Sequence, residues 1–278
     1  MKKVFCLIAL VALNSSAFAF EKGVIALVQY NADLHFNDYS FNMQALTKFA
    51  DLAVVKHANI VIFPEGSAYG YDSSRLLLEK ERRFWCKGQP KKGCLPIENV
   101  AEAIPNGKTT LYWEEYAKKN NIYVLYNLPE KDVSGKYYNT TGVVGPSGYI
   151  TKYRKRSLYW VDSLYGISGK GSTLFKTPFG NFGLITCADV NQYSYARDYI
   201  DQGANAIFLV TDWDDPVPDA KTTFTTYSNY NRIDMFASDV SEFDGTGKYL
   251  SDGSERERYG LPKDAENIDG ISFHILNY

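Results

Sequence analysis

Three side chains in this sequence have the makings of a nucleophile, a base and a cation: Cys187, Glu65 and Lys155. Cys187 ends the apolar run Phe182-Gly-Leu-Ile-Thr186, Glu65 ends another at Pro64-Glu65-Gly66, and Lys155 sits in Tyr153-Arg154-Lys155. A carboxylate near a thiol can take its proton, and a lysine near both favours the thiolate and can hold the oxyanion of a tetrahedral intermediate. Singly, each has a plainer explanation. Cys187 could be a small core hydrophobe, Glu65 an exposed loop carboxylate, and Lys155 one cation of the solvated run Lys152, Arg154, Lys155, Arg156. The three become a site only if the fold brings their strand ends together.

The hydrophobic pattern indicates a fold able to do so. Gly23 to Tyr30 reads as a central strand, apolar positions from Met43 to Val54 recur at helical spacing, and Asn59 to Phe63 is a second buried strand. That β–α–β order with densely apolar strands predicts a layered α/β fold with helices covering the strands. Residues 67–108 show no long period and read as a loop and short-helix insertion. A helix follows over Thr109 to Asn120, then a strand from Ile122 to Leu128. Tyr138 to Val144 and Tyr149 to Leu158 read as a hairpin around Gly145-Pro-Ser-Gly148. After the strand ending at Cys187 come a helix over Tyr193 to Gln202, a strand over Ala206 to Val210, the segments 221–230 and 233–240, and a final strand from Gly270 to Leu276. In open α/β sheets ligands collect at the carboxyl ends of strands, so Glu65 and Cys187 can share one mouth.

Composition narrows the partners. At 45% hydrophobic and 22% charged, the 278 residues have ample material for a core. Met1-Lys2-Lys3, the apolar run Val4 to Leu13 and Ala17-Phe18-Ala19 read as a secretory signal peptide over 1–19, too short to span a bilayer, followed by a single domain over 20–278. Its removal takes the basic residues from 30 to 28 against 32 acidic, moving the net charge from −2 to −4, which argues against a nucleic-acid partner. It also removes Cys6. Of the three remaining cysteines, Cys86 and Cys94 are placed to close a short disulfide loop in a secreted or periplasmic setting, and Cys187 is left unpaired. No Cys-x-x-Cys or His-Glu-x-x-His is present, so neither a metal nor another cofactor is expected. Asn139-Thr-Thr is a glycosylation sequon, meaningful in a eukaryotic host.

Three runs, Val-Ile-Phe-Pro-Glu-Gly (61–66), Tyr-Arg-Lys-Arg-Ser-Leu-Tyr (153–159) and Phe-Gly-Asn-Phe-Gly-Leu-Ile-Thr-Cys-Ala-Asp (179–189), resemble in order and separation the three signatures of the nitrilase superfamily of carbon–nitrogen hydrolases. The stretch from Tyr137 to Val144 looks most like the biotinidase and vanin (pantetheinase) branch. The resemblance implies a four-layer αββα sandwich that cleaves a small-molecule amide, with Glu65 as general base, Lys155 as stabiliser of the intermediate and Cys187 as nucleophile. It also implies that the backbone N–H of Ala188 joins Lys155 around the oxyanion. Many members carry a second glutamate seven or eight residues after the lysine; Asp162 stands there in this chain and is expected to serve with a shorter reach. Tyr69, Tyr71, Tyr159, Trp160 and Trp213 fall on loops that the resemblance places near the mouth, and Asp212, Asp214 and Asp215 beside Trp213 would either select a cationic substrate or cap the helix before the 219–230 segment. A homodimer is left open.

Three other readings compete. A papain-like Cys187–His274 pair is disfavoured, because alternation in Ile271-Ser-Phe-His-Ile275 puts His274 opposite the apolar residues, where a solvated or hydrogen-bonded histidine is expected. A binding protein that has lost catalysis would not need all three triad residues. An N-acyltransferase would pass the same thioester to an amine instead of to water.

Overall fold

The computed structural model describes residues 20–71, 84–88, 94–213, 218–242, 244–254, 256–261 and 268–278. The expected signal peptide and Asp214 and Asp215 lie outside them. The chain runs β1 (Gly23–Gln29), α1 (Tyr39–Val55), β2 (Ile60–Ile62), β3 (Phe84–Cys86), β4 (Cys94–Pro96), α2 (Lys108–Asn120), β5 (Tyr123–Lys131), β6 (Tyr137–Gly145) and β7 (Gly148–Arg154). It continues through β8 (Leu174–Thr177), β9 (Gly180–Thr186), α3 (Ser194–Ile200), β10 (Ala206–Val210), α4 (Ala220–Asn231), β11 (Asp234–Ser238), β12 (Gly247–Tyr249) and β13 (Gly270–Leu276).

Two sheets result. The first has the order β13-β1-β2-β5-β6-β7, with β1, β2 and β5 mutually parallel; the second has the order β12-β11-β10-β9-β8, with β9, β10 and β11 parallel. Alternation along the strands sorts their side chains into three apolar layers. In β1, Ala26 and Val28 face α1 and α2, meeting Leu46, Ala50 and Trp113, whereas Ile25 and Leu27 face the other sheet. In β10, Ala206, Phe208 and Val210 join that middle layer, and Ile207 and Leu209 face α3 and α4 with Tyr199, Phe224 and Tyr227. Helix pair, sheet, sheet, helix pair is the αββα sandwich expected from the motifs. The sheets are also bonded to each other, Ser238 Oγ in β11 donating to the carbonyls of Val28 and Ile62.

Local chemistry explains most element boundaries. Helix α1 starts earlier than its apolar period because Asp38 caps it, accepting from the Phe41 N–H at 3.0 Å; α2 stops where Asn121 turns left-handed; α4 is capped by Asp219 at the Thr222 N–H. The expected strand Tyr149 to Leu158 ends instead at Arg154. The insertion carries one short parallel pair, β3 with β4, which brings the two cysteines expected to bridge, Cys86 and Cys94, together as a pair. Trp85 between them is fully buried, stacked on Phe36, with its indole N–H on the Gly70 carbonyl.

Of the two expectations for His274, the hydrogen-bonded one holds and the solvated one does not. The side chain does point away from Ile271, but β13 pairs with β1, so that side is the layer between the sheets. There His274 is 2% exposed, within 2.9 Å of Ser272 Oγ and edge-on to Phe236, and not solvated. No helix among the described residues is long and apolar enough to cross a membrane.

Candidate active site

The parallel strands of both sheets point their carboxyl ends the same way, and the polar cluster sits there. After β2, Phe63-Pro64 leads to Glu65, which is 1% exposed; Gly66 then takes a left-handed φ of 65°, and a Cβ there would press on Tyr71, so glycine is needed for the chain to leave the strand. Lys155 follows β7. Its N–H still bonds to the Asn139 carbonyl at 2.8 Å, but its side chain turns inward and is wholly buried. The solvated-run reading of Lys155 therefore fails, although Lys152 and Arg154 on the same strand do reach outward, to Glu130.

Lys155 Nζ lies 2.9 Å from Glu65 Oε1, 2.7 Å from Asp162 Oδ2 and 3.3 Å from the Tyr71 hydroxyl. Burial alone would pull this lysine down, but Asp162, Cys187 and Glu65 together outweigh it and hold its pKa well above the usual lysine value. The same burial pushes the Glu65 carboxyl up; Lys155 pulls it down, Asp162 pushes it further up, and the net direction is upward. Asp162 accepts the Tyr159 N–H at 2.9 Å and the Tyr165 hydroxyl at 3.3 Å. The shorter acid thus reaches the lysine because its turn packs directly under the cluster.

Cys187 does not quite end its strand. β9 closes at Thr186, and Cys187 opens a single 3-10 turn with φ of 45°, a conformation that costs a residue with a Cβ about 1–2 kcal/mol. The thiol is buried and lies 3.6 Å from the Asp212 carbonyl, while the N–H of the same Asp212 bonds to Glu65 Oε2 at 3.1 Å. One residue beyond β10 therefore touches thiol and carboxylate at once. Asp189 fastens the turn: its Oδ2 accepts from the Thr186 N–H and the Tyr153 hydroxyl, its Oδ1 from the N–H groups of Arg156 and Ser157. It thereby ties the segment after Lys155 to the segment after Cys187.

Asn139 was read only as a sequon. It is 2% exposed, its Nδ2 donates to Glu65 Oε1 at 2.6 Å and to Asp162 Oδ1 at 2.9 Å, and its Oδ1 accepts from Asn127. An amide so enclosed is no glycosylation acceptor in the folded protein. The only sequence signal for its role was its place on β6 facing Glu65, which becomes visible once the strand pairing is known.

The expected aromatic lining divides. Tyr71 is in the cluster; Tyr159 and Trp160 flank the Asp162 turn, with Trp160 45% exposed. Tyr69 is not there. Its hydroxyl bonds to Glu102 at 2.9 Å, and its ring packs with Tyr39 and Trp85 in the layer under α1. The Trp213 indole turns into the α4 layer, edge-on to Phe224 with its N–H on the Pro218 carbonyl, so it is the backbone of Trp213 that faces the site's supports. Ala188 is half-buried beside the thiol. Of the three acids expected to select a cationic substrate, Asp212 is buried, and Asp214 and Asp215 lie outside the described residues.

The fold is shared with a solved member of the nitrilase superfamily. The crystal structure of Nit3 from Saccharomyces cerevisiae, a member of branch 10 of that superfamily, superposes with a TM-score of 0.73 over 94% of this chain and 92% of that one, at 18% identity. Residues 24–231 match the carbon-nitrogen hydrolase family, and the chain belongs to it. Its relatives include a nitrilase from Pyrococcus abyssi, 26% identical over 66% of this chain and 62% of that protein, and the human pantetheinase, 24% identical over 78% of this chain and 45% of that one. The chain thus spans about half the length of the curated relatives it matches.

Proposed function

We propose that the protein hydrolyses a non-peptide amide of a small molecule through a thioester on Cys187. The observation that carries this reading is a wholly buried lysine ion-paired to two carboxylates, Glu65 and Asp162, with the Cys187 thiol and Glu65 held on opposite ends of the Asp212 backbone. The family supports carbon–nitrogen chemistry, and a cluster of this kind has few structural uses that repay its desolvation.

In this reading Glu65 takes the Cys187 proton and the sulfur bonds to the amide carbon. Lys155, with the Ala188 N–H, holds the resulting oxyanion. The C–N bond breaks as Glu65 returns the proton to the departing amine. Glu65 then removes a proton from water, the hydroxyl adds to the thioester carbon, and the C–S bond breaks to release the carboxylic acid and the thiol. Asp162 and Asn139 keep Lys155 and Glu65 in place throughout. We place this activity in a secreted or periplasmic protein, supported by the N-terminal segment 1–19 and by the Cys86–Cys94 pair.

The test is a panel of pantetheine-like, biotinyl and short aliphatic amides, with one nitrile, against wild type and Cys187→Ala. Release of acid and amine by wild type, falling by about 10⁴-fold or more in the variant, is expected. A mass increase on Cys187 equal to the acyl group identifies the thioester. No turnover of any substrate together with an inert Cys187 toward iodoacetamide overturns the reading in favour of a binding protein, and amide products with added amines would make it a transferase.

A further inference from the structure

One short segment joins the base to the nucleophile, and its anchor is a carboxyl that the chemistry above does not use. Asp212 contacts Glu65 through its N–H and Cys187 through its carbonyl. The next N–H, of Trp213, ends on Asp239 Oδ1 at 2.9 Å, and that oxygen also accepts the Val240 N–H at 2.9 Å. Asp239 lies just past β11 and is completely buried; its backbone is itself pinned by the Thr246 hydroxyl. Its second oxygen, Oδ2, has no hydrogen-bond partner among the described residues. A Cβ on Gly245 would collide with that oxygen, so glycine at this position leaves the carboxyl its room. A buried acid with one oxygen unsatisfied is costly and calls for a reason.

We propose that Asp239 is a positioning residue for the reaction: through its single bond to the Trp213 N–H it holds the 211–213 segment at the height where Cys187 and Glu65 both meet the substrate carbonyl. The inference rests on the function proposed above. Burial drives the Asp239 carboxyl well upward, against the pull of its two N–H bonds, and Glu65 adds to the rise. What the geometry asks of this side chain is an acceptor oxygen for the Trp213 and Val240 N–H groups. Asparagine supplies the same oxygen; leucine fills the volume without it.

The experiment compares Asp239→Asn and Asp239→Leu in the full chain, with urea unfolding to verify folding, for amide turnover and for the rate of Cys187 alkylation by iodoacetamide. Asp239→Leu is expected to lower kcat about 100-fold with KM changed far less, as a small misplacement of reacting groups does, and to alter the alkylation rate. Asp239→Asn is expected to stay within about 5-fold of wild type in both. Should Asp239→Leu fail to fold, Gly245→Ala displaces the carboxyl from the other side and is expected to show the same loss. Wild-type kcat in Asp239→Leu or Gly245→Ala, or an Asp239→Asn as impaired as Asp239→Leu, overturns the proposal. If wild type turns over no amide, it is the reading of function that fails; alkylation rates equal in wild type and Asp239→Leu then overturn the role of Asp239 separately.

Discussion

Lys155 has no exposure to water and is charged there only because Asp162, Glu65 and Cys187 surround it. Removing it leaves two buried carboxylates facing each other. Lys155→Met should therefore lose about 3–5 kcal/mol in urea unfolding at neutral pH, far more than the lost side chain's packing would imply. The lysine's folded pKa is raised above 10.5, so its contribution is fully present below that pH and is lost as pH rises through the higher folded value. The difference between wild type and variant should shrink in that alkaline range. In the proposed reaction Glu65 is ionised when it takes the thiol proton, and its pKa is raised above 4.5. The acid limb of kcat/KM against pH is accordingly expected above pH 4.5, and Asp162→Asn, which removes a carboxylate that pushes Glu65 up, should move that limb to lower pH. The residues proposed to act were legible from type and motif. The residues that hold them, Asn139, Tyr165 and Asp239, were not, because each contacts its partner from a different strand or turn and nothing in its own neighbourhood in sequence marks it.

At the scale of elements, β9 must lie close to α3 for Cys187 to reach its turn. Gly183 makes that approach possible: a Cβ there would come within 2.5 Å of the Tyr199 ring, whose hydroxyl bonds to the Leu184 carbonyl of the same strand. Gly183→Val should cost about 1–3 kcal/mol by overpacking. It should also slow amide turnover, because the shift is transmitted along β9 to Thr186 and Cys187; thermal unfolding and kcat together check this. Most strand and helix identities followed from apolar periodicity, and the β6–β7 hairpin from its turn residues; the short strands β3, β4 and β12 did not. Boundaries moved where capping or function intervened. β7 ends at Arg154 because Lys155 abandons the alternating pattern to reach Glu65, and β9 ends at Thr186 because Cys187 turns left-handed.

For the molecule as a whole, the layer between the sheets is where polar groups are most constrained. His274 sits there, and burial, with Lys248 adding, lowers its pKa from 6.5 to about 3. A neutral imidazole enforced by the fold means that the unfolded chain binds the proton first as pH falls. The stability it contributes is present above pH 6.5 and is lost progressively toward pH 3, on the order of 4 kcal/mol over that range. His274→Gln keeps a hydrogen-bonding side chain and cannot titrate, so its urea midpoint should fall less steeply than that of wild type between pH 6.5 and 3.

By itself the sequence determined the candidate reacting groups, the layered α/β class and, through three motifs, the family, since these depend on residue type and on periodicities of two and 3.6 that are local properties of the chain. Only the tertiary structure decided which polar residues were buried and whom they face. Whether Lys155 is solvated, whether Asn139 is a sequon or a strut, whether His274 meets water or the second sheet, and whether Tyr69 or Tyr71 reaches the cluster all depend on what packs against each strand, and that is settled by contacts between residues far apart in the chain, 147 positions for Glu65 and Asp212 and 210 for Val28 and Ser238.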